Sequence, residues 1–248
     1  MAKIHFNHFP ELPFAVQEAL NRLRVNVRFC GEDIRKIMVI SSVPNEGKSF
    51  VSINLWKLLA ESGEKCIFVD GDLRKSVIKD RYSLEGEGEV KGISHYLSGH
   101  ITLDEAIYQT DFENADIMPL FTSVTNPSIL LEGDKFEKML DELAKKYRYV
   151  IVDTAPLTAV ADGERIASLC DGALMVVRAG DTSRKLLHRS IQQIERTGCP
   201  LIGVVLNRVK GEGSGYYSKY GKYGKYGHYG YGYGYGYGYG ESKSKNNK

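Results

Sequence analysis

A chain of 248 residues with 42% hydrophobic and 26% charged side chains has the composition of a soluble globular protein, long enough for one large α/β domain. Its formal net charge of +2 hides a split, because residues 210–248 hold seven lysines against two glutamates and leave the remaining body mildly acidic, a balance that excludes a general nucleic-acid binder. No apolar run approaches the ~18 residues of a membrane helix, and the opening MAKIHFNHFPELPF lacks a signal stretch, so a cytoplasmic location is expected.

The first predicted element is a helix around EALNRLR, with Leu20, Leu23 and Val27 inward at helical spacing and the arginines solvated. IMVIS (37–41) predicts a buried strand. After Lys48, the positions Phe50, Val51, Leu55, Leu58 and Leu59 predict an amphipathic helix that stops at Gly63. CIFVD (66–70) is a second strand, and TLDE (102–105) pairs Thr with Glu three residues later, a capping-box start for a further helix. KFEKMLDELAKKYR is an amphipathic helix leading into the strand YVIVD (149–153). The strand ALMVV (173–177), the helix SRKLLHRSIQQIERTG closing at Gly198, and the strand IGVVLN (202–207) complete the series. Strands alternating with helices imply right-handed crossovers, and strands this uniformly apolar fit a sheet covered on both faces. The expected fold class is α/β, a doubly wound and mostly parallel sheet, in one domain over residues 1–210. Cys30, Cys66, Cys170 and Cys199 form no C-x-x-C pair and are expected as reduced thiols.

From Gly211 the pattern changes to three KYG units, one HYG, five YG units and a polar end, with no Leu, Ile, Val, Met or Phe to build a core. Residues 211–248 are therefore expected to be a disordered tail. Eleven of the sixteen tyrosines fall in it: Tyr216, Tyr217, Tyr220, Tyr223, Tyr226, Tyr229, Tyr231, Tyr233, Tyr235, Tyr237 and Tyr239.

The densest chemistry lies in MVISSVPNEGKSF, where a strand ends and a helix opens. Against the phosphate-loop pattern G-x-x-x-x-G-K-[ST], residues 42–49 read S-V-P-N-E-G-K-S, with Ser42 in place of the first glycine. Backbone amides from 45 to 50 would converge on β- and γ-phosphate oxygens, Lys48 would reach them, and the Ser49 hydroxyl would bind Mg²⁺. A chance Gly-Lys-Ser at a helix start is the bland alternative. YVIVDTAP places Asp153 at a strand end beside that loop, the position that holds Mg²⁺ through water. CIFVDGDLR ends another strand with Asp70 and Asp72, which alternate and so point the same way, followed by Arg74. A solvated Asp-Gly turn would explain them equally well in isolation. Beside a loop that already has its metal ligands, however, one spare carboxylate suits an acceptor for the proton of an attacking hydroxyl.

Together SSVPNEGKS, IFVDGDLR and VIVDTAP resemble the Walker A, A′ and B motifs of the bacterial tyrosine kinases, with similarity running from about Glu18 to Arg208. The resemblance implies a P-loop NTPase fold, ATP and Mg²⁺, and Lys48, Asp70, Asp72 and Asp153 as the catalytic group. It places Ser42, Asn45, Glu46, Gly47, Lys48, Ser49 and Phe50 around the phosphates, Asn207 and Arg208 at the adenine, and Ser49, Asp72 and Asp153 around the metal. Asp70 is the preferred base, with a swap with Asp72 left open. The tyrosine cluster then reads as the kinase's own substrate, phosphorylated between subunits alongside other protein tyrosines.

Members without membrane helices resemble the Gram-positive type, which implies recruitment to the inner membrane face by a membrane-spanning activator and control of capsule or exopolysaccharide synthesis and export. The family's helical E-x-x-R-x-x-R ring contact is kept here only at Glu18 and Arg24, with Asn21 in the middle. ParA and MinD positioning ATPases share the fold and are the alternative reading, but Val43 stands where they carry a signature lysine. A self-associating Tyr/Gly scaffold would explain the tail and leave the ATP site idle.

Overall fold

The computed structural model describes residues 2–124 and 126–209; the tyrosine-rich tail lies outside the described residues. The elements in order are β1 (Ile4–Phe6), α1 (Phe14–Arg28), β2 (Lys36–Ser41), α2 (Lys48–Glu61), β3 (Cys66–Asp70), α3 (Ile78–Tyr82), β4 (Leu84–Gly86) and α4 (Ile93–Leu97). A single 3-10 turn (Asp104–Ala106) precedes β5 (Tyr108–Gln109) and β6 (Ala115–Met118). Then come α5 (Pro127–Glu132), α6 (Asp134–Lys146), β7 (Tyr149–Asp153), α7 (Asp162–Ala167), β8 (Gly172–Arg178), α8 (Arg184–Glu195) and β9 (Leu201–Asn207).

Seven strands form one sheet in the order β5-β6-β3-β7-β2-β8-β9, parallel throughout except for the antiparallel β5–β6 pair. Successive side chains alternate between its faces. Ile37, Val39, Phe68 and Ile151 pack with α2 residues Val51, Leu55, Trp56 and Leu59, while Met38, Ile40, Val69 and Val152 pack with Phe136, Met139 and Leu143 of α6 and Ile166 of α7. This is the doubly wound, mostly parallel arrangement expected from the apolar runs.

Two expectations are corrected. TLDE does form its reciprocal bonds, with Glu105 accepting from the Thr102 amide and hydroxyl at 2.8 Å each. But the chain makes only the 3-10 turn before Ile107 turns extended into β5, so no α-helix follows the cap. α2 is not amphipathic either: Val51, Ile53, Leu55, Trp56 and Leu59 are fully or nearly fully buried around its circumference. Its outer side is covered by α1 and by the small antiparallel ribbon β1–β4, where Phe6 stacks on Trp56 with ring centroids 5.8 Å apart. All four cysteines are free thiols.

The strand order is what builds the site. β7 lies between β3 and β2, and Asp70 and Asp153 are direct register partners at the ends of β3 and β7. The loop leaving β2 therefore emerges beside both carboxylates, at the carboxyl edge where ligands of such sheets bind.

Candidate active site

Residues 42–47 wrap tightly between β2 and α2. Asn45 (φ 67°) and Gly47 (φ 96°) take left-handed backbone conformations that turn successive amides inward. A Cβ at Gly47 would lie 2.1 Å from the Asn207 Nδ2, so a side chain is excluded there by both strain and space. The loop is held from three directions. The Ser42 carbonyl accepts from the Thr158 amide (3.1 Å) and hydroxyl (2.8 Å). The Glu46 carbonyl accepts from Asn207 Nδ2 at 2.9 Å. The buried Glu46 carboxylate accepts from the amides of Val43 (2.9 Å) and Arg178 (3.2 Å) and from the Thr182 hydroxyl. The Ser42 Oγ is buried without a partner among the described residues. Phe50 is half-buried in the first turn of α2.

Lys48 leaves the start of α2 and inserts its ammonium among oxygens: Ser49 Oγ at 3.1 Å, Asp72 Oδ2 at 3.3 Å and Asp153 Oδ2 at 3.4 Å. Burial works against its charge, but the Asp153, Asp72 and Asp70 carboxylates together outweigh it and hold the ammonium above the usual lysine range. Asp153 also accepts from the Ser52 hydroxyl at 3.1 Å, and Asp72 from the Lys75 amide at 3.1 Å. Burial raises the Asp153 carboxyl, opposed by Lys48 and its hydroxyl neighbours.

Asp70 stands apart. It is 1% exposed; its Oδ2 accepts from the Ser76 hydroxyl, and its Oδ1 has no partner among the described residues. Burial pushes its carboxyl up to about 8; the Ser76 bond works against that rise, as does Lys48, and the Asp153 and Asp72 charges add to it. In the nucleotide-free protein the folded state therefore keeps one proton that the unfolded chain loses near pH ~4. Stability falls as pH rises through that window, from the unfolded value to about 8. Asp70→Asn, with nothing to ionise, is expected to gain on the wild type between pH 5 and pH 8.5 in metal-free thermal melts. A gap that stays constant with pH would show that Asp70 ionises normally in the folded chain.

The structure thus brings Ser42, Asn45, Glu46, Gly47, Lys48, Ser49, Asp70, Asp72, Asp153 and Asn207 to one sheet edge. Asn207 is committed at both ends of its amide, since its Oδ1 accepts from the Arg208 amide at 2.8 Å. Arg208 follows in a left-handed conformation (φ 55°). Glu18 and Arg24 lie on α1, which packs against α2. Sequence reasoning missed Ser76, Ser52, Thr182 and the pairing of Arg74 with Asp162 (2.7 Å) and Ser128 (2.7 Å). The Ser52, Thr182 and Arg74 contacts cross 54 to 136 residues of sequence and leave no local signal, whereas Ser76 lies six residues from Asp70.

Among the described residues no three His, Cys, Asp or Glu side chains form a ready metal cage. The donors present nevertheless fit Mg²⁺: they are hard oxygens, one hydroxyl and two carboxylates, and they already gather around a cation, the Lys48 ammonium. Mg²⁺ commonly takes one or two carboxylates and completes its shell with phosphates and water.

An AAA domain family model matches residues 35–197. Tyrosine-protein kinase CpsD of Streptococcus agalactiae is 36% identical over 194 residues, which cover 78% of this chain and 83% of that protein. The chain belongs to the bacterial tyrosine kinases. Another relative in this family, a putative tyrosine-protein kinase in the cps region of Klebsiella pneumoniae, is 32% identical over 202 residues, 81% of this chain but 28% of that longer protein. The kinase domain of Escherichia coli tyrosine kinase ETK superposes with a TM-score of 0.74 at 28% identity, covering 92% of this chain and 87% of that one. A fold of this kind binds nucleotide. The septum site-determining protein MinD of Pyrococcus horikoshii, complexed with Mg-ADP, follows at a TM-score of 0.61 and 24% identity over 71% of this chain and 70% of that one, a likeness of fold alone. No helix among the described residues is long and apolar enough to cross a membrane.

Proposed function

We propose that the chain is an ATP-dependent protein-tyrosine kinase that phosphorylates the tyrosine cluster of residues 216–239, from one subunit to another. One observation carries this reading. Asp70 is a buried carboxyl in register with the Walker B Asp153, uncommitted to Lys48 and with one oxygen unpaired among the described residues. A tyrosine hydroxyl attacking the γ-phosphate must give up a proton, and this carboxylate is placed to accept it.

In this mechanism the amides of residues 45–50 and the Lys48 ammonium hold the β- and γ-phosphates. Ser49, Asp72 and Asp153 would hold Mg²⁺, which supplies positive charge against the developing negative charge of the transferred group. A tyrosine hydroxyl in line with the γ-phosphorus gives its proton to Asp70 in its ionised form. Its oxygen forms the new P–O bond as the bond to the bridging β–γ oxygen breaks, and ADP leaves with that electron pair. Positioning and charge neutralisation do most of the work. Asn207 acts on the phosphate loop through Glu46 and, with Arg208, borders the adenine.

The capsule setting rests on the relative in the Klebsiella cps region, and the family resemblance adds a membrane-spanning activator, inner-membrane recruitment and oligomer formation through α1. Mass spectrometry of purified protein incubated with Mg-ATP should show phosphate on tyrosines beyond residue 215. ATP turnover with no phosphotyrosine would reject the kinase reading and restore the MinD-like positioning ATPase.

A further inference from the structure

Ser76 sits between the A′ aspartates and α3, half-buried, and its hydroxyl is fixed at both ends. It donates its only hydrogen to Asp70 Oδ2 at 2.5 Å and accepts from the Ile78 amide at 3.2 Å. The Asp70 side chain ends in an sp³–sp² torsion, which by itself is broad and nearly two-fold. Something must choose which oxygen faces which way. With Oδ2 claimed by Ser76, Oδ1 remains, buried and without a donor among the described residues. Leaving such an acceptor unpaired costs about 1–3 kcal/mol, and a substrate hydroxyl is the donor it lacks.

We propose that Ser76 is a positioning residue for phosphoryl transfer: by occupying Oδ2 it presents Oδ1 of Asp70 to the incoming tyrosine hydroxyl. The proposal rests on the kinase reading above. Its physical rival for that carboxylate is Lys48, already shared by Asp72 and Asp153. Once Ser76 is gone, Asp70 is free to rotate toward the ammonium and take a position in which neither oxygen meets the substrate. Because the Ser76 hydroxyl is also tied to the first amide of α3, its position is set by backbone as well as by side-chain packing.

The test uses the full chain and compares Ser76→Ala, Ser76→Thr and Ser76→Cys, each with and without Asp70→Asn. Phosphotyrosine formation is followed against ATP concentration, with binding of a non-hydrolysable ATP analogue and melting temperature alongside. Ser76→Ala should lower kcat by roughly 10–100-fold, the scale of a general-base contribution, with KM for ATP and analogue binding within about twofold. Ser76→Thr, which keeps the hydroxyl, should recover most of the rate. Ser76→Cys fills the space with a weak donor and should fall between, which keeps the comparison valid if alanine lowers stability. In the Asp70→Asn background, Ser76→Ala should add nothing, because the residue acts only through that carboxylate. Unchanged kcat in Ser76→Ala, a loss that simply adds to that of Asp70→Asn, or ATP affinity falling in parallel would each overturn the proposal. A wild-type chain that binds Mg-ATP without making phosphotyrosine would instead overturn the kinase reading on which it rests.

Discussion

Replacing Lys48 with methionine is expected to stop phosphotyrosine formation and also to lower the melting temperature of the nucleotide-free protein. The first effect follows from the phosphate loop: losing one charged donor aimed at a developing charge costs about 10²–10³ in rate or more. The second follows from the structure alone. Read as a phosphate ligand only, Lys48 should be removable without harm to the fold. Its ammonium, however, bridges Asp72 and Asp153, at 3.3 Å and 3.4 Å, in a nearly water-free site. Removing one partner of a buried ion pair costs about 3–5 kcal/mol, because the remaining charges lose their compensation. Added Mg²⁺ is expected to raise the melting temperature of the variant more than that of the wild type, since a divalent cation held by Asp72 and Asp153 would replace the lost positive charge. Calorimetry with and without Mg²⁺, beside a phosphotyrosine blot, checks both parts. A variant that melts like the wild type would remove Lys48 as the carboxylates' partner, and one that still phosphorylates would remove it from the chemistry.

The central strands were legible because each is buried on both faces, so their runs are apolar without interruption. The phosphate loop was legible because its residues are consecutive. What escaped depends on pairing across the chain. β1 is three residues long and exists because it pairs with β4 some eighty residues later, while Phe6 finds Trp56 and Phe112. β6 reads A-D-I-M, and its Asp116 hides a strand between β5 and β3; in the fold that carboxylate accepts from the Tyr147 hydroxyl at 2.6 Å. The circumferential burial of α2 was invisible for the same reason, as its outer cover comes from the N-terminal ribbon and α1. In the candidate site, Asp70 was preferred as the base with a swap with Asp72 left open; what the sequence does not show is that Asp72 shares Lys48 while Asp70 bonds Ser76. No sequence spacing encodes that division.

A mixture of Lys48→Met chains carrying the tail and active chains truncated after Lys210 is expected to place phosphotyrosine on the Lys48→Met chains. Chemistry favours transfer between chains. An acceptor tethered to its own active site would be present at millimolar effective concentration at all times, and assembly would have nothing left to regulate. An acceptor from a neighbour arrives only when subunits meet. Each phosphate brings about −1.5 to −2 charges, so full modification of the eleven tail tyrosines would carry residues 210–248 from +5 to roughly −12 to −17. Self-repulsion of that size would loosen the assembly that made transfer possible and return the chains to the unassembled state. The mixing experiment reads the first half of this cycle directly, because the only active sites belong to chains without tyrosines beyond residue 210. Unphosphorylated Lys48→Met chains, with both partners folded and associated by sizing, would sink transfer between subunits and leave the tail to its own active site.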